Sequence, residues 1–254
     1  MKPVGIITDS CSGISQKEAS ERGIFVLPMP FYVEGQCLYE GVDLDRDDFM
    51  EKLRTGADVS TSQPSPAEVT ALWDQALSEY EKVLYMPISS GLSGSCETAY
   101  ALTRDERYEG RVLVVDHGQV ATPLHRMVLD ALELVEKGYT AEEIRELLER
   151  ASDQMMIYIG VQTLEYLKKG GRITPAAAAL GSVFNIKPVL KLATGKLDSF
   201  KKCHGFLKAR KAMIEAMKHE IETRFQDAYE AGAVHILAAS SASEADRKST
   251  RLNS

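Results

Sequence analysis

Short apolar runs alternate with longer segments of helical periodicity along the first half of the chain. Strand-type runs occur at VGIITD, GIFVLPMPFYV, KVLYM and RVLVVD, and segments with helical spacing lie between them. Strands that alternate with helices are typical of α/β proteins whose sheet is largely parallel. The pattern therefore predicts an N-terminal α/β domain with a largely parallel sheet and flanking helices.

Two helix starts carry a complete capping pattern. Ser65 is followed by a proline and, three residues on, by Glu68, while Thr140 is followed three residues on by Glu143. A hydroxyl at the N-cap and a glutamate three residues later satisfy each other's backbone donors. Apolar residues then recur at helical spacing, and the buried stripe of the second helix is predicted to include Leu147.

The pattern changes after about residue 152. MMIYIGV predicts a strand, KPVLKLATGKLDSFKK predicts two strands around the turn at Thr194 and Gly195, and a helix is predicted from about Gly205 to Phe225. AVHILAAS predicts one more strand. Since hairpins belong to antiparallel sheets, we expect two domains: residues 1–152 form the α/β domain, and residues 153–245 form an α+β domain with antiparallel strands.

The last residues, 246–254, read DRKSTRLNS and have no apolar periodicity. One reading frame of a common sequencing-adapter oligonucleotide would encode this segment. Our hypothesis is that 246–254 is a non-native tail and that the C-terminal domain is therefore truncated.

Composition and charge exclude several function classes. The chain has 254 residues and a net charge of −7, which argues against nucleic-acid binding through overall charge. No apolar run reaches the length of a membrane span, and the N-terminus lacks the pattern of a secretion signal, so we expect a cytoplasmic protein. The four cysteines are scattered without metal-ligand spacing and predict free thiols, with no metal site.

The turn PISSGLSGS, residues 87–95, follows an apolar strand and precedes a helix. It misses the nucleophile-elbow pattern by one position, because Ser95 stands where a glycine is needed. A serine hydrolase with Ser93 as nucleophile remains the alternative, with His117 or His125 as the base. The other interpretation is an anion cradle, in which small residues, hydroxyls and a helix N-terminus bind a carboxylate or phosphate.

Three further elements also suit the binding of a carboxylate or phosphate. The turn STSQPS, residues 60–65, also runs into a helix start, and two such termini facing each other could fix one carboxylate or phosphate. The segment KKGGRIT presents Arg172 after two glycines, and a guanidinium suits bidentate carboxylate binding. Asp9 ends the first strand, where ligand crevices of open α/β sheets lie, although a helix-capping role explains it equally well.

Taken together, these motifs resemble those of the DegV family of fatty-acid-binding proteins, the FakB-type carriers of bacteria. The resemblance rests on ITDS, TSQPS, ISSGLSGS, LKKGGRI, IKPVL and the basic helix after HGFLKARKAM, and it covers residues 2 to about 245. It implies a two-domain protein that holds one long-chain fatty acid in an apolar interior. It also implies a partner, an ATP-dependent fatty acid kinase that converts the bound carboxylate to an acyl phosphate for phospholipid synthesis.

The resemblance also implies roles for individual residues. Carried over by motif, the carboxylate would be bound by Thr61, Ser62, Ser93 and the Gly94 N–H, with Arg172 in support. The protein itself would have no catalytic residue, cofactor or metal, and its ligand would be the fatty acid. The kinase contact would involve His204, Lys208 and Arg210, and transient contact with a membrane surface stays open.

The sequence departs from the family pattern in two places. Family members commonly carry an Arg-Gly pair before the basic helix, whereas this chain has His204 and Gly205. A neutral histidine would weaken an electrostatic contact with the kinase. The family also ends with a glycine-rich segment that carries a histidine near the ligand carboxylate, and the chain stops before it. A DNA-binding regulator ranks last, since no helix-turn-helix pattern is found.

Overall fold

The computed structural model describes residues 1–44, 46–179, 186–193 and 196–239. The chain divides into two compact units, Met1–Met155 and a second unit that begins at Met156. The turn residues Thr194 and Gly195 and the suspected tail at 246–254 lie outside the described residues.

In the first unit, strands and helices follow one another along the chain. The strands are β1 (Lys2–Asp9), β2 (Ile24–Leu27), β3 (Pro30–Val33), β4 (Gln36–Tyr39), β5 (Val59–Thr61), β6 (Tyr80–Met86) and β7 (Val112–Val114). The helices are α1 (Gln16–Arg22), α2 (Arg46–Arg54), α3 (Pro66–Glu79), α4 (Ser95–Leu102), α5 (Ala121–Glu136) and α6 (Ala141–Ala151). Single 3₁₀ turns lie at Ser10–Ser12 and Ser152–Gln154.

The main sheet of this unit is parallel and has the strand order β2-β1-β6-β7. Successive residues of β1 point to opposite faces, so Ile6 packs in a core with α5 and α6 while Ile7 packs in a second core with α3 and α4. Helices therefore cover both faces, which explains why the strand sequences are apolar without alternation. The predicted parallel sheet with flanking helices is confirmed.

A second, antiparallel sheet of order β4-β3-β5 also belongs to the first unit. The sequence pattern suggested one continuous run from β2 into β3, but Pro28 and Pro30 interrupt it because proline cannot donate to a strand ladder. Glu34 and Gly35 join β3 to β4 with φ angles of 50° and 78°. Two consecutive residues with positive φ form the tight hairpin turn that suits strand twist.

Both predicted capping boxes are present. Ser65 and Glu68 cap α3, and Thr140 and Glu143 cap α6. In each box the N-cap hydroxyl accepts the backbone amide of the glutamate, and the glutamate carboxylate accepts the backbone amide of the N-cap residue. The stripe predicted for α6 is wrong at Leu147, which is 38% exposed. Ile144 and Leu148 alone fill the core from the middle of this helix, because Leu147 lies on its outer side.

The second unit contains an antiparallel sheet of order β10-β9-β8. Its elements are β8 (Ile157–Gly160), α7 (Glu165–Gly170), α8 (Pro175–Ala178), β9 (Ile186–Ala193), β10 (Lys196–His204), α9 (Phe206–Glu222) and α10 (Gln226–Glu230). The predicted β9–β10 pairing and the long helix are confirmed. Val189 and Cys203 pack against the buried alanines of α9, Ala209 and Ala212.

One predicted strand is absent. Residues 233–239 have no regular secondary structure and pair with no strand among the described residues, although AVHILAAS has a strand-type composition. Ile236 and Leu237 are 60% and 53% exposed. An apolar run becomes a strand when a neighbouring strand supplies its hydrogen bonds, and none does so here.

Candidate functional site

The carboxyl ends of β1, β6 and β7 meet at one edge of the parallel sheet, because parallel strands all point the same way. From β1 the chain continues to β2 on one side, whereas β6 lies on the other side of β1. Such a reversal of strand order opens a crevice, and ligands of open α/β sheets bind there. Asp9 ends β1 at this point, and the turn at residues 87–95 follows β6.

The serine- and glycine-rich turn after β6 is held by its own backbone. The carbonyl oxygen of Ser89 accepts hydrogen bonds from the amides of Leu92 and Ser93 at 2.9 and 3.1 Å, and the Ser89 hydroxyl oxygen accepts one from the Gly91 amide at 3.2 Å. Gly94 is the N-cap of α4 and has no side chain that could cap it. The N-cap residue of α4 therefore supplies no side-chain acceptor, and the partial positive charge of the helix N-terminus favours an anion.

Ser93 contacts a serine rather than a histidine. Its Oγ lies 2.9 Å from Ser95 Oγ and accepts a hydrogen bond from the Ser95 amide at 3.3 Å. Of the two histidines considered as a base, His117 accepts the Gln119 amide at its Nδ1, and His125 lies 3.4 Å from Glu18. These contacts describe a hydroxyl cluster at the start of α4, and they do not form the relay that a serine nucleophile needs.

The second turn, STSQPS, joins β5 to α3. Thr61 is the last residue of β5 and is exposed, while the Ser62 amide donates to the Pro30 carbonyl at 3.2 Å. Pro30 begins β3, so the small antiparallel sheet fixes the position of this turn. The sequence does not indicate this contact, because pairing between distant strands has no local sequence pattern.

The start of α3 is tied to the same small sheet. Tyr39 on β4 donates its hydroxyl proton to Glu68 Oε1 at 2.6 Å, and Ser65 donates to Glu68 Oε2 from both its amide and its hydroxyl. Burial acts to raise the pKa of Glu68, but the hydrogen bonds from Ser65 and Tyr39 hold it below its usual value. A charged Glu68 thus anchors the hairpin to the helix that follows the turn.

The structure brings the two turns together through Gln63. Its Nε2 donates to Thr98 Oγ1 in the first turns of α4 at 2.8 Å. Its Oε1 lies so close to Gly94 that a Cβ at that position would be 2.5 Å away. The segment with Thr61 and Ser62 therefore adjoins the segment with Ser93 and Gly94.

Of the two roles that the sequence left open for Asp9, the structure shows helix capping. Its Oδ1 caps the 3₁₀ turn by accepting the Cys11 amide at 3.0 Å, and its Oδ2 accepts the Ile88 amide at 2.7 Å. The side chain is fully buried, and burial raises its pKa to about 7 against the opposing effect of these two amides. Asp9 thus links the end of β1 to the turn after β6.

His117 is buried beside the same edge of the sheet. Burial lowers its pKa to about 4, although Asp116 and the backbone of Pro87 and Met86 act in the opposite direction. Since Nδ1 accepts the Gln119 amide at 3.0 Å, the neutral imidazole carries its proton on Nε2. The Gln119 carbonyl in turn accepts the Ser89 amide, which connects this buried histidine to the serine-rich turn.

Arg172 belongs to the second unit, in the turn after α7. Gly171 ends the helix with a φ of 70°, a conformation that favours glycine, and the Arg172 amide donates to the Leu167 carbonyl at 3.2 Å. The Arg172 guanidinium donates to the Gly170 carbonyl and is half-buried. The two glycines before the arginine therefore shape the bend that the sequence predicted.

The residues expected to contact a partner surround the junction of β10 and α9. His204 is the last residue of β10, and Gly205 turns the chain into α9 with a φ of 89°. His204 and Lys208 are exposed, while Arg210 is half-buried. Lys208 and Arg210 fall within the first turns of the helix, so their side chains are presented from one end of α9.

Cavities in the first unit lie along α4. One of about 370 Å³ is lined by Ser90 and Asp116 near the carboxyl edge of the sheet, with Cys96 and Tyr100 from the helix. Another, of about 460 Å³, lies near the far end of α4 around Arg104 and is distant in sequence from the two turns.

Within the described ranges, no group of three or more histidine, cysteine, aspartate or glutamate side chains could hold a metal ion. No helix in that part of the chain has the length and apolar character needed to cross a bilayer. All four cysteines are free, as the sequence predicted.

Comparison with known proteins identifies the family. The model of the DegV family matches residues 3–253, nearly the whole sequence. The chain belongs to the DegV family. A DegV domain-containing protein of Deinococcus radiodurans is 36% identical over 217 residues, which cover 85% of this chain and 75% of that protein.

Solved structures of DegV-family proteins share the fold. A DegV family protein from Thermus thermophilus, described with fatty acid binding, is 34% identical and superposes with a TM-score of 0.79 over 87% of this chain and 79% of that one. DegV from Bacillus subtilis, a fatty acid binding protein, is 26% identical with a TM-score of 0.76 over 87% and 79% of the two chains. The predicted DegV resemblance and fold class are therefore confirmed.

Proposed function

We propose that this DegV-family protein binds one long-chain fatty acid, with the carboxylate at the two turns that Gln63 joins. Thr61, Ser62 and Ser93 would supply hydroxyl donors, and the Gly94 amide would supply a backbone donor. The observation that carries the proposal is the contact of these two turns at the crevice of the parallel sheet. The fatty-acid-binding relatives from Thermus thermophilus and Bacillus subtilis support it.

The chemistry of the site fits a carboxylate. The N-terminus of α4 contributes partial positive charge beside the two turns, and hydroxyl groups can reorient to donate to either carboxylate oxygen. Arg172 would support the binding of the carboxylate, as the motif resemblance implies. An acyl chain gains about 0.8 kcal/mol for each buried methylene, so an apolar interior would supply affinity while the polar groups set the orientation.

The proposed role for Ser93 is holding rather than attack. The Ser93 hydroxyl contacts Ser95, while His117 accepts the Gln119 amide and His125 lies beside Glu18. A hydrolase would cleave a chromogenic ester and lose this activity in Ser93→Ala. We expect no turnover from the protein and a loss of fatty-acid affinity in the variant instead.

We further propose that a fatty acid kinase phosphorylates the bound carboxylate to an acyl phosphate for phospholipid synthesis. Residues 196–211 contain six lysines and arginines against one aspartate, in a chain whose net charge is −7. Such a local basic surface suits a partner with an acidic surface. His204, Lys208 and Arg210 would contact the kinase there, and its use of ATP would place the carrier in the cytoplasm.

Native mass spectrometry of the purified protein, followed by lipid extraction, tests the ligand. We expect one fatty acid per chain in the wild type and a marked loss in Ser93→Ala. Ser78→Ala is the matched control, because Ser78 is an exposed serine of α3 whose hydroxyl donates to the Gln75 carbonyl in the same helix. If folded wild-type protein remained empty after addition of oleate and palmitate, the proposal would be wrong.

A further inference from the structure

We propose that Gln63 is the positioning residue of the carboxylate site. It sets the separation of the turn at 60–65 from the turn at 87–95, and through that separation it determines the affinity for the fatty-acid carboxylate. This inference rests on the proposed function.

The first observation is a hydrogen bond between segments distant in sequence. Gln63 and Thr98 are 35 residues apart, and Gln63 Nε2 lies 2.8 Å from Thr98 Oγ1. Thr98 lies within α4, and its amide donates to the Gly94 carbonyl at 2.9 Å in the first turn of the helix. The Gln63 side chain is thereby fixed to the turn that ends in Ser93 and Gly94.

The second observation concerns the space beside Gly94. The backbone of Gly94 has φ −73° and ψ 2°, which any residue can adopt, so backbone conformation does not require glycine there. A Cβ at Gly94 would instead meet Gln63 Oε1 at 2.5 Å, far inside normal contact distance. A side chain at Gly94 would therefore have to displace the Gln63 amide, because that amide occupies the space.

Both ends of the Gln63 amide therefore face the same helix start. Ser62 and Thr61 precede Gln63 directly in the chain, and Ser93 precedes Gly94. A movement of the amide would change the distance between the two groups of hydroxyls. Gln63 has no need to touch the ligand, since its effect passes through the residues beside it.

The first test separates a carboxylate effect from general binding. Gln63→Met keeps an unbranched side chain of similar length but removes the amide, and Thr98→Val removes the acceptor. We expect both to raise the Kd for oleate about tenfold and to change the Kd for oleyl alcohol, which lacks the carboxylate, by less than twofold. Thr98→Ser keeps the hydroxyl and should restore oleate binding to within about twofold of wild type.

The second test uses the contact with Gly94. Gly94→Ala alone should weaken oleate binding, because the new methyl group displaces the Gln63 amide. Gln63→Ala opens that space, so the double variant Gln63→Ala/Gly94→Ala should bind oleate no more weakly than Gln63→Ala alone. Losses that simply add in the double variant would contradict the proposed contact.

Each outcome has a distinct meaning. Wild-type protein that binds neither oleate nor palmitate would overturn the proposed function itself. If the wild type binds and Ser93→Ala weakens binding, but Gln63→Met and Thr98→Val bind oleate normally, the positioning role is wrong while the proposed function stands. Equal losses of affinity for oleate and oleyl alcohol would show a general structural role and would also overturn the inference. A lowered melting temperature with a proportional loss of affinity for both ligands would do the same.

Discussion

At the scale of single residues, two buried ionisable groups near the site have opposite preferences. Asp9 has a pKa of about 7 in the folded protein, above its usual 3.8. Between pH 3.8 and 7, Asp9 is therefore protonated in the folded protein and ionised in the unfolded chain. His117 has a pKa of about 4, below its usual 6.5, so the unfolded chain holds a proton there that the folded protein lacks. Asp9 therefore lowers stability as pH rises from about 4 to 7, whereas His117 lowers stability as pH falls from 6.5 to 4.

Substitution should separate these two contributions. Each group changes the free energy of unfolding by up to about 1.4 kcal/mol per pH unit, and the two slopes nearly cancel between pH 4 and 6.5. Relative to wild type, Asp9→Asn should gain stability as pH rises from 4 to 7, and His117→Gln should lose stability as pH rises over 4 to 6.5. Urea unfolding followed by circular dichroism at several pH values measures both differences. Variants whose pH profiles run parallel to that of the wild type would contradict the assignment.

At the scale of helices and strands, the two capping boxes offer a matched pair. Ser65 caps α3 beside the proposed site, and Thr140 caps α6 in the same manner. Removing either hydroxyl should cost about 1 kcal/mol of stability. We expect Ser65→Ala also to weaken oleate binding, since the start of α3 follows directly from the turn that carries Thr61 and Ser62.

Denaturant titration and oleate titration of both variants check this prediction. Thr140→Ala is the control for lost stability without a change at the site. Similar oleate affinity in the two variants would show that the cap of α3 does not support the carboxylate site.

Features fixed by neighbouring residues could be predicted from the sequence, and features fixed by distant ones could not. The capping boxes, the β9–β10 hairpin and the parallel sheet follow from local spacing and apolar pattern. The β4-β3-β5 sheet and the bond between Gln63 and Thr98 depend on segments that meet only after folding. The segment AVHILAAS was wrongly predicted as a strand, because a strand-type composition does not by itself provide a neighbouring strand to pair with.

The same distinction holds for the site. The motifs pointed to Thr61, Ser62, Ser93 and Gly94, and the structure places their two segments side by side. Sequence gave no reason to single out Gln63, since a glutamine in a turn is common and its partner lies on another helix. The constraint on Gly94 could not be predicted either, because it comes from the neighbouring Gln63 side chain and not from the backbone conformation of Gly94.

At the scale of the whole molecule, charge is distributed unevenly. The excess of basic residues at 196–211 contrasts with the net charge of −7, so the remainder of the chain is strongly acidic. Long-range electrostatic attraction would turn this surface toward an acidic partner before contact, and the attraction would weaken with added salt. His204 lies at the centre of this region.

We therefore expect His204→Arg to strengthen the proposed interaction with a fatty acid kinase. Arginine is always charged and can bind a carboxylate with two hydrogen bonds, whereas a neutral histidine offers one donor. The rate of acyl phosphate formation with purified kinase and ATP at low carrier concentration should rise several-fold in His204→Arg and fall in Lys208→Glu. Lys17→Glu, an exposed charge reversal on α1 of the first unit, is the control and should leave the rate unchanged. If all three variants matched the wild type at low and high salt, the kinase would not dock on this surface.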